Sequence, residues 1–153
     1  PVFSVYNGQR VQGGKTQLTD GGTNVPLIAN WRGVIDGGQV VDDLVDFSDF
    51  LPTLAELTGG ELPTGVTLDG RSFANRLTEG EPATRQWAYS ERGNRFWVRT
   101  QRWKLYDDGP FYDMVADPFE EQRLNVQELS EEAEAGHRQL TGALKEVAGI
   151  EPP

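Results

Sequence analysis

One lysine of this chain sits where a fixed cation is useful. In GGKTQLTDGGTNVPLIANWRG, residues 13–33, Lys15 follows the pair Gly13–Gly14, and an acid, Asp20, stands five residues further on before a second pair, Gly21–Gly22. Glycines let backbone approach a ligand closely and leave N–H groups free to face an anion. An ammonium beside an anionic oxygen is also worth far more in a partly desolvated pocket than on open surface. The competing reading is an exposed loop lysine, solvated or paired with Asp20. A phosphate-cradling P-loop is excluded, because the GxxxxGK[ST] spacing is absent.

Other residues with chemical potential read more plainly. His137, the sole histidine, lies four residues after Ala133 and three before Leu140, on the apolar side of a helical pattern, and reads as a packing residue. The acids of DDLVDFSD, residues 42–49, suggest either a metal cluster or a helix cap with solvated loop acids, and the second is expected. Trp87, Phe96, Trp97, Trp103, Tyr106, Phe111 and Tyr112 read as cross-strand core pairs. Trp87 or Trp97 would face a cleft only if the protein acts on a glycan.

Composition narrows the function classes. The 153 residues include 24 acids against 14 bases, a net charge of −10, and the sequence pI is near 4.5. A phosphate backbone requires a basic face, so a nucleic-acid partner is not expected. Four tryptophans and 37% hydrophobic residues are the composition of a folding chain. With no cysteine, disulfides and thiolate metal sites are excluded. No apolar run approaches the ~18 residues of a helical membrane span.

The elements that must position Lys15 follow from periodicity and turn residues. VPLIANW, Val25–Trp31, reads as a half-buried strand between Gly22 and Gly33. DFLPTLAELTGG reads as a helix with Asp49 as N-cap, Pro52 in its first turn and Gly59–Gly60 as its stop, burying Phe50, Leu51, Leu54 and Leu57. A short helical turn is expected from near Ser72. WAYSE, FWVRT, RWKLYDD and PFYDM, separated by turn residues, predict a four-stranded antiparallel meander. From Ser130 an amphipathic helix follows, with Glu131 and Glu132 favourable at its N-terminus and a stripe of Leu129, Ala133, Leu140, Leu144 and Val147. A lone buried strand at the front cannot satisfy its own edges. With no initiator methionine before PVFSVYNG, this predicts a piece of a longer protein that supplies neighbouring strands.

The ordered series GGK, DGG, VPLI, then DFLPTLAELTG, LDGRSF, RTQRWKLY and FYDMVADPFEEQRL resembles the C-terminal part of the type I sulfatases, in the alkaline phosphatase superfamily. Those enzymes show GKG, EGG, RVPLI.WPG, D.LPTL.ELAG, DG.SL, RWKL and LYDL..DP.E in that order, and the resemblance runs from about Gly13 to Asn125. It departs at Thr16, where the family has glycine, and at Asn24, where it has arginine. The fold so implied is α/β: the edge of an alkaline-phosphatase-like mixed sheet in residues 1–84, then the four-stranded antiparallel subdomain and C-terminal helix in 85–153.

The resemblance makes Lys15 a catalytic, substrate-binding residue that reaches the sulfate. It also implies a Ca2+ ion and a formylglycine nucleophile made from C/S-x-P-x-R. The latter motif is absent here, since none of the nine prolines has arginine two residues later. One Ca2+-ligand pair, Asp-Asn-Gly, could align with Tyr6-Asn7-Gly8, making Asn7 a ligand. The preferred alignment instead treats NGQRVQGGK as the loop entering the lysine turn, with no metal ligand in this chain. The implied function is hydrolysis of sulfate esters by a longer parent, with a sulfated small molecule or glycan as substrate and the upstream catalytic segment as partner. The isolated chain is expected to be inactive. A phosphonate or phosphodiester hydrolase of the superfamily, or a non-catalytic sulfatase-derived binding domain, are the alternatives. A periplasmic or secreted parent fits the family.

Overall fold

The computed structural model describes residues 3–6 and 8–148. Contacts divide the chain into two units, residues 27–88 and residues 1–26 with 89–153. The front segment thus clusters with the antiparallel sheet.

In the composite unit the chain opens as a hairpin, β1 (Phe3–Tyr6) against β2 (Gln9–Gln12), with Phe3 opposite Gln12 and Tyr6 opposite Gln9. Residues 9–12, expected as loop, are therefore strand. A four-residue helical turn, α1 (Asp20–Thr23), follows. The predicted meander forms: β3 (Ala88–Arg92), β4 (Arg95–Arg99), β5 (Trp103–Tyr106) and β6 (Phe111–Asp113) lie in sequence order. Trp97 pairs with Tyr106, Arg99 with Lys104, and Lys104 with Tyr112, each antiparallel.

Strand alternation sorts this sheet into two faces. Phe96, Val98, Trp103, Leu105 and Phe111 share one, and all are buried. Against it packs the helix α4 (Glu131–Ala148), through Ala133, Leu140, Ala143 and Leu144. Its start is as expected: the Ser130 hydroxyl accepts from the Ala133 N–H, 3.3 Å, and three acids occupy the first turn. Val147 is exposed, so the stripe ends before it. His137 meets Phe111 edge-on at 5.0 Å between ring centroids, the packing role its position predicted.

Gly136 decides how closely helix and sheet approach. A Cβ there would lie 2.2 Å from Cδ1 of Trp103, whose ring stacks on Phe111. The indole occupies the groove that the missing side chain opens.

In the unit of residues 27–88, Val25–Trp31 is the main departure from expectation, since no strand forms there. Ile28 is 88% exposed, and Leu27 and Trp31 are exposed with it. A strand exists through its ladder, and among the described residues none pairs with this run. A 3-10 turn (Phe47–Asp49) leads into α2 (Phe50–Thr58), which ends at Gly59 with φ 68°. The Gly60 N–H donates to the Ala55 carbonyl at 2.8 Å, the expected glycine stop. The buried face differs from the apolar stripe: Pro52 and Thr53 are buried, whereas Leu51 and Leu54 are exposed.

The cause lies in Asp49. Its carboxylate does not cap α2 but is 1% exposed and ion-paired with Arg85 in a two-pronged contact. It also accepts from the backbone N–H groups of Arg71, 2.7 Å, and Asp46, 2.8 Å. Thr53 bridges, donating to the Asp49 carbonyl at 2.6 Å and accepting from the Phe73 N–H at 3.0 Å. LDGRSF and DFLPTL are thereby docked on one another, and α3 (Ala74–Thr78) follows. A Cβ on Gly70 would lie 2.0 Å from the Ser48 carbonyl oxygen, so this docking needs glycine there.

The core of the composite unit can be tested at Gly136 and at His137. Helix propensity alone would make Gly136→Ala stabilising by about 1 kcal/mol. The Trp103 contact reverses the sign, to a loss of about 2 kcal/mol on overpacking, read from urea unfolding. Burial holds the His137 pKa below the ordinary 6.5, so the folded state favours the neutral ring. The unfolded chain takes up the proton first, and this contribution to stability, present above about pH 6.5, is lost as pH falls toward the folded pKa. Between about pH 7 and about pH 5 the wild type should lose more thermal stability than His137→Gln.

Candidate functional site

The segment carrying Lys15 is a compact backbone knot between β2 and α1. The Gly14 N–H donates to the Gly21 carbonyl at 3.0 Å, and the Gln17 N–H donates to the Gly14 carbonyl at 2.8 Å. The glycines are there because backbone meets backbone: a Cβ on Gly22 would stand 2.2 Å from the Gly14 oxygen and 2.3 Å from the Gln17 oxygen. Thr16 sits at φ 72°, in the left-handed region. A β-branched residue is strained there, and this is the position where the resembling family carries glycine.

Lys15 itself is exposed at the rim of the knot. Among the described residues it makes no hydrogen bond or ion pair, and Asp20 does not pair with it. Its ammonium is solvent-exposed, as in the competing reading of a solvated loop lysine. Asn7, the alternative metal-ligand candidate, lies outside the described residues.

Asp20 is engaged elsewhere, in a cluster that the sequence does not announce. Lys104, on the sheet face opposite α4, is 0% exposed. Its Nζ has three protons and three acceptors: Glu120 Oε1 at 2.7 Å, the Leu18 carbonyl at 3.0 Å and Asp20 Oδ1 at 3.1 Å. Arg99, its neighbour across the ladder, donates from Nη1 to Asp20 Oδ2 at 2.5 Å. Two cations thus meet two carboxylates. The Asp20 N–H donates to Glu120 at 3.1 Å, and the Tyr106 hydroxyl donates to Glu120, with the Leu18 carbonyl 3.3 Å from the same oxygen. Burial, the hydrogen bond to Glu120 and its charge all push the Tyr106 pKa far up, so the phenol stays a neutral donor. Trp97 lies 4.6 Å beneath the ammonium, which places this tryptophan in the core and not at a cleft.

Removing one partner from such a buried pair costs about 3–5 kcal/mol, because the other charge stays buried and uncompensated. Glu120 adopts φ 60° within this cluster. Thr16 and Glu120 are the two non-glycine residues with positive φ among those described, and both belong to the Lys15 knot and its anchor. In sequence, WKLY alternates like a strand with one solvated face, so nothing local marked Lys104 as buried. The available signal was indirect: a lysine aligned between the aromatic positions Trp97 and Tyr106 in a chain rich in acids.

The remaining candidates resolve into structural roles. Within DDLVDFSD, Asp46 caps the 3-10 turn through the Ser48 N–H, 2.9 Å. Asp43 accepts from Arg76 and from the Ala83 N–H. The Arg76 hydrogen bond holds the Asp43 carboxyl below its usual range, against the effect of burial. These acids are paired and partly buried, not solvated as expected. Among the described residues no cluster of His, Cys, Asp or Glu could hold a metal ion. Asp20 and Glu120 are committed to Lys104, Arg99 and Tyr106, so the described residues do not fit a Ca2+ site. Among the described residues no helix is long and apolar enough to cross a membrane.

Comparison with known proteins gives a consistent picture. No protein-family model matches the chain. It is 45% identical over 62 residues to the steryl-sulfatase of Rattus norvegicus, covering 40% of this chain and 11% of that protein. It is 32% identical over 91 residues to an ulvan-active sulfatase of Formosa agariphila, covering 60% and 18%. It is 36% identical over 114 residues to arylsulfatase A of Homo sapiens, covering 69% and 22%. The chain therefore spans about a tenth to a fifth of the length of these relatives. A solved structure of a protein with its substrate D-glucosamine-2-N,6-O-disulfate superposes at TM-score 0.51 with 27% identity, covering 68% of this chain and 24% of that one. A second, from glycosaminoglycan metabolism by Bacteroides thetaiotaomicron, shares the fold at TM-score 0.51 and 20% identity over 67% of this chain and 24% of its own.

The strain at Thr16 is directly measurable. Thr16→Gly should stabilise the chain by about 0.5–1 kcal/mol, since a Cβ is removed from a left-handed position. An unchanged or lowered unfolding midpoint would place the strain elsewhere.

Proposed function

This chain is a C-terminal part of a sulfatase, and on that premise we propose that its parent protein hydrolyses sulfate esters, with Lys15 contacting the sulfate. The observation that carries this reading is the pairing of a rigid, glycine-built knot with an ammonium that no group of the described chain neutralises. A cation at that position would stabilise the charge that gathers on the sulfate oxygens and the leaving oxygen. The parent's nucleophile, a formylglycine, and its Ca2+ ion would both be held by polypeptide outside this chain. Residues 1–84 would then close the catalytic α/β domain, and 85–153 would form the subdomain that walls the cleft.

The substrate class proposed is a sulfated small molecule or glycan. It is supported by the disulfated glucosamine bound as substrate in one structural relative. Within this chain Trp97 lies under Lys104 and Phe111 lies against His137 of α4, and Lys15 is the residue proposed to meet the sulfate.

In the parent protein Lys15→Ala should lower kcat on an aryl sulfate by about 100- to 1,000-fold, with the melting temperature unchanged. Near-normal turnover would end the role assigned to Lys15. The same assay on a phosphate diester separates a sulfatase from a phosphodiesterase of the superfamily, and the 153-residue chain alone should turn over neither.

A further inference from the structure

We propose that Lys104 is a positioning residue for Lys15, fixing from the antiparallel sheet the backbone segment that carries the sulfate-contacting ammonium. The inference rests on the role proposed for Lys15 and extends it to a residue that does not touch substrate.

The geometry is specific. Lys15 has no side-chain tether of its own, so what the fold fixes is its Cα, through the backbone of residues 13–24. That backbone is closed upon itself through Gly14, Gly21 and Gly22. It is fastened to the sheet through the Leu18 carbonyl, the Asp20 carboxylate and the Asp20 N–H. The first two reach Lys104 directly, and the third reaches Glu120, which Lys104 also holds. All three protons of one ammonium are thus spent on this single attachment. The strained backbone of Glu120 belongs to the same arrangement: φ 60° is tolerated where Lys104, Tyr106 and the Asp20 N–H converge on its carboxylate. A buried lysine whose hydrogen bonds all lead to the Lys15 segment and its brace is built to hold that segment still.

Displacing a charge by ~1 Å in an enzyme can cost about 100-fold in rate, so loosening this anchor should register in catalysis. The test is a double-mutant cycle in the parent protein with an aryl sulfate, using Lys15→Ala, Lys104→Met and the double variant, with inorganic sulfate as competitive inhibitor. Lys104→Met should lower kcat/KM by about 10- to 100-fold and weaken inhibition by sulfate, while the double variant is no worse than Lys15→Ala alone. A merely structural lysine would give effects that multiply in the double variant, and that outcome, like normal activity in Lys104→Met, overturns the inference. If Lys15→Ala itself keeps full activity, the reading of Lys15 falls first, and this inference falls with it. Should Lys104→Met fail to fold, Asp20→Asn carries the same cycle, since it removes the charge and leaves one oxygen where Lys104 and Arg99 now have two, loosening the same attachment. Thermal unfolding of each variant confirms that the rates compare folded proteins.

Discussion

A buried ammonium must find a hydrogen-bond acceptor for every proton and a counter-charge for itself, or stay unburied. Lys104 meets that requirement with groups from two distant stretches: the knot after β2 and the loop that holds Glu120. Much of the composite unit follows. The front segment must lie on the sheet face that α4 does not cover, Arg99 must complete the charge balance, and Glu120 must accept an unfavourable backbone angle. An acidic chain supplies such partners readily, and the same acidity that argues against nucleic acid furnishes this anchor.

The unit of residues 27–88 applies the same chemistry with the charges reversed. There a buried carboxylate, Asp49, collects Arg85 and two backbone N–H groups, and this holds the DGRSF turn on the helix that begins DFLPTL. In both units, segments that stand apart in sequence are joined by one buried ion whose valences are filled by backbone as well as side chains. Backbone partners make the arrangement sensitive to chain path, and glycines at positions 22 and 70 keep the approach open.

Elements whose signals are local were legible. The meander shows period-two aromatics between turn residues, and α4 begins with Ser130 and three acids, so both formed where the pattern placed them. Val25–Trp31 has the composition of a strand, but a strand depends on partners that composition cannot supply, and among the described residues none is there. The α2 stripe misled for a related reason: Leu51 and Leu54 have helical spacing, yet the buried face is decided by Asp49 and Thr53 through polar contacts.

Local sequence was enough to set the order of motifs, the meander and the final helix, because turn chemistry, capping and strand alternation act between near neighbours. Three-dimensional packing was needed to bury Lys104, to commit Asp20 to it rather than to Lys15, and to bind Asp49 to Arg85 in place of capping its helix. The physical reason is range. Charge pairing in a desolvated interior joins residues some 16 to 84 positions apart, and no local pattern records which of many acids and bases will meet.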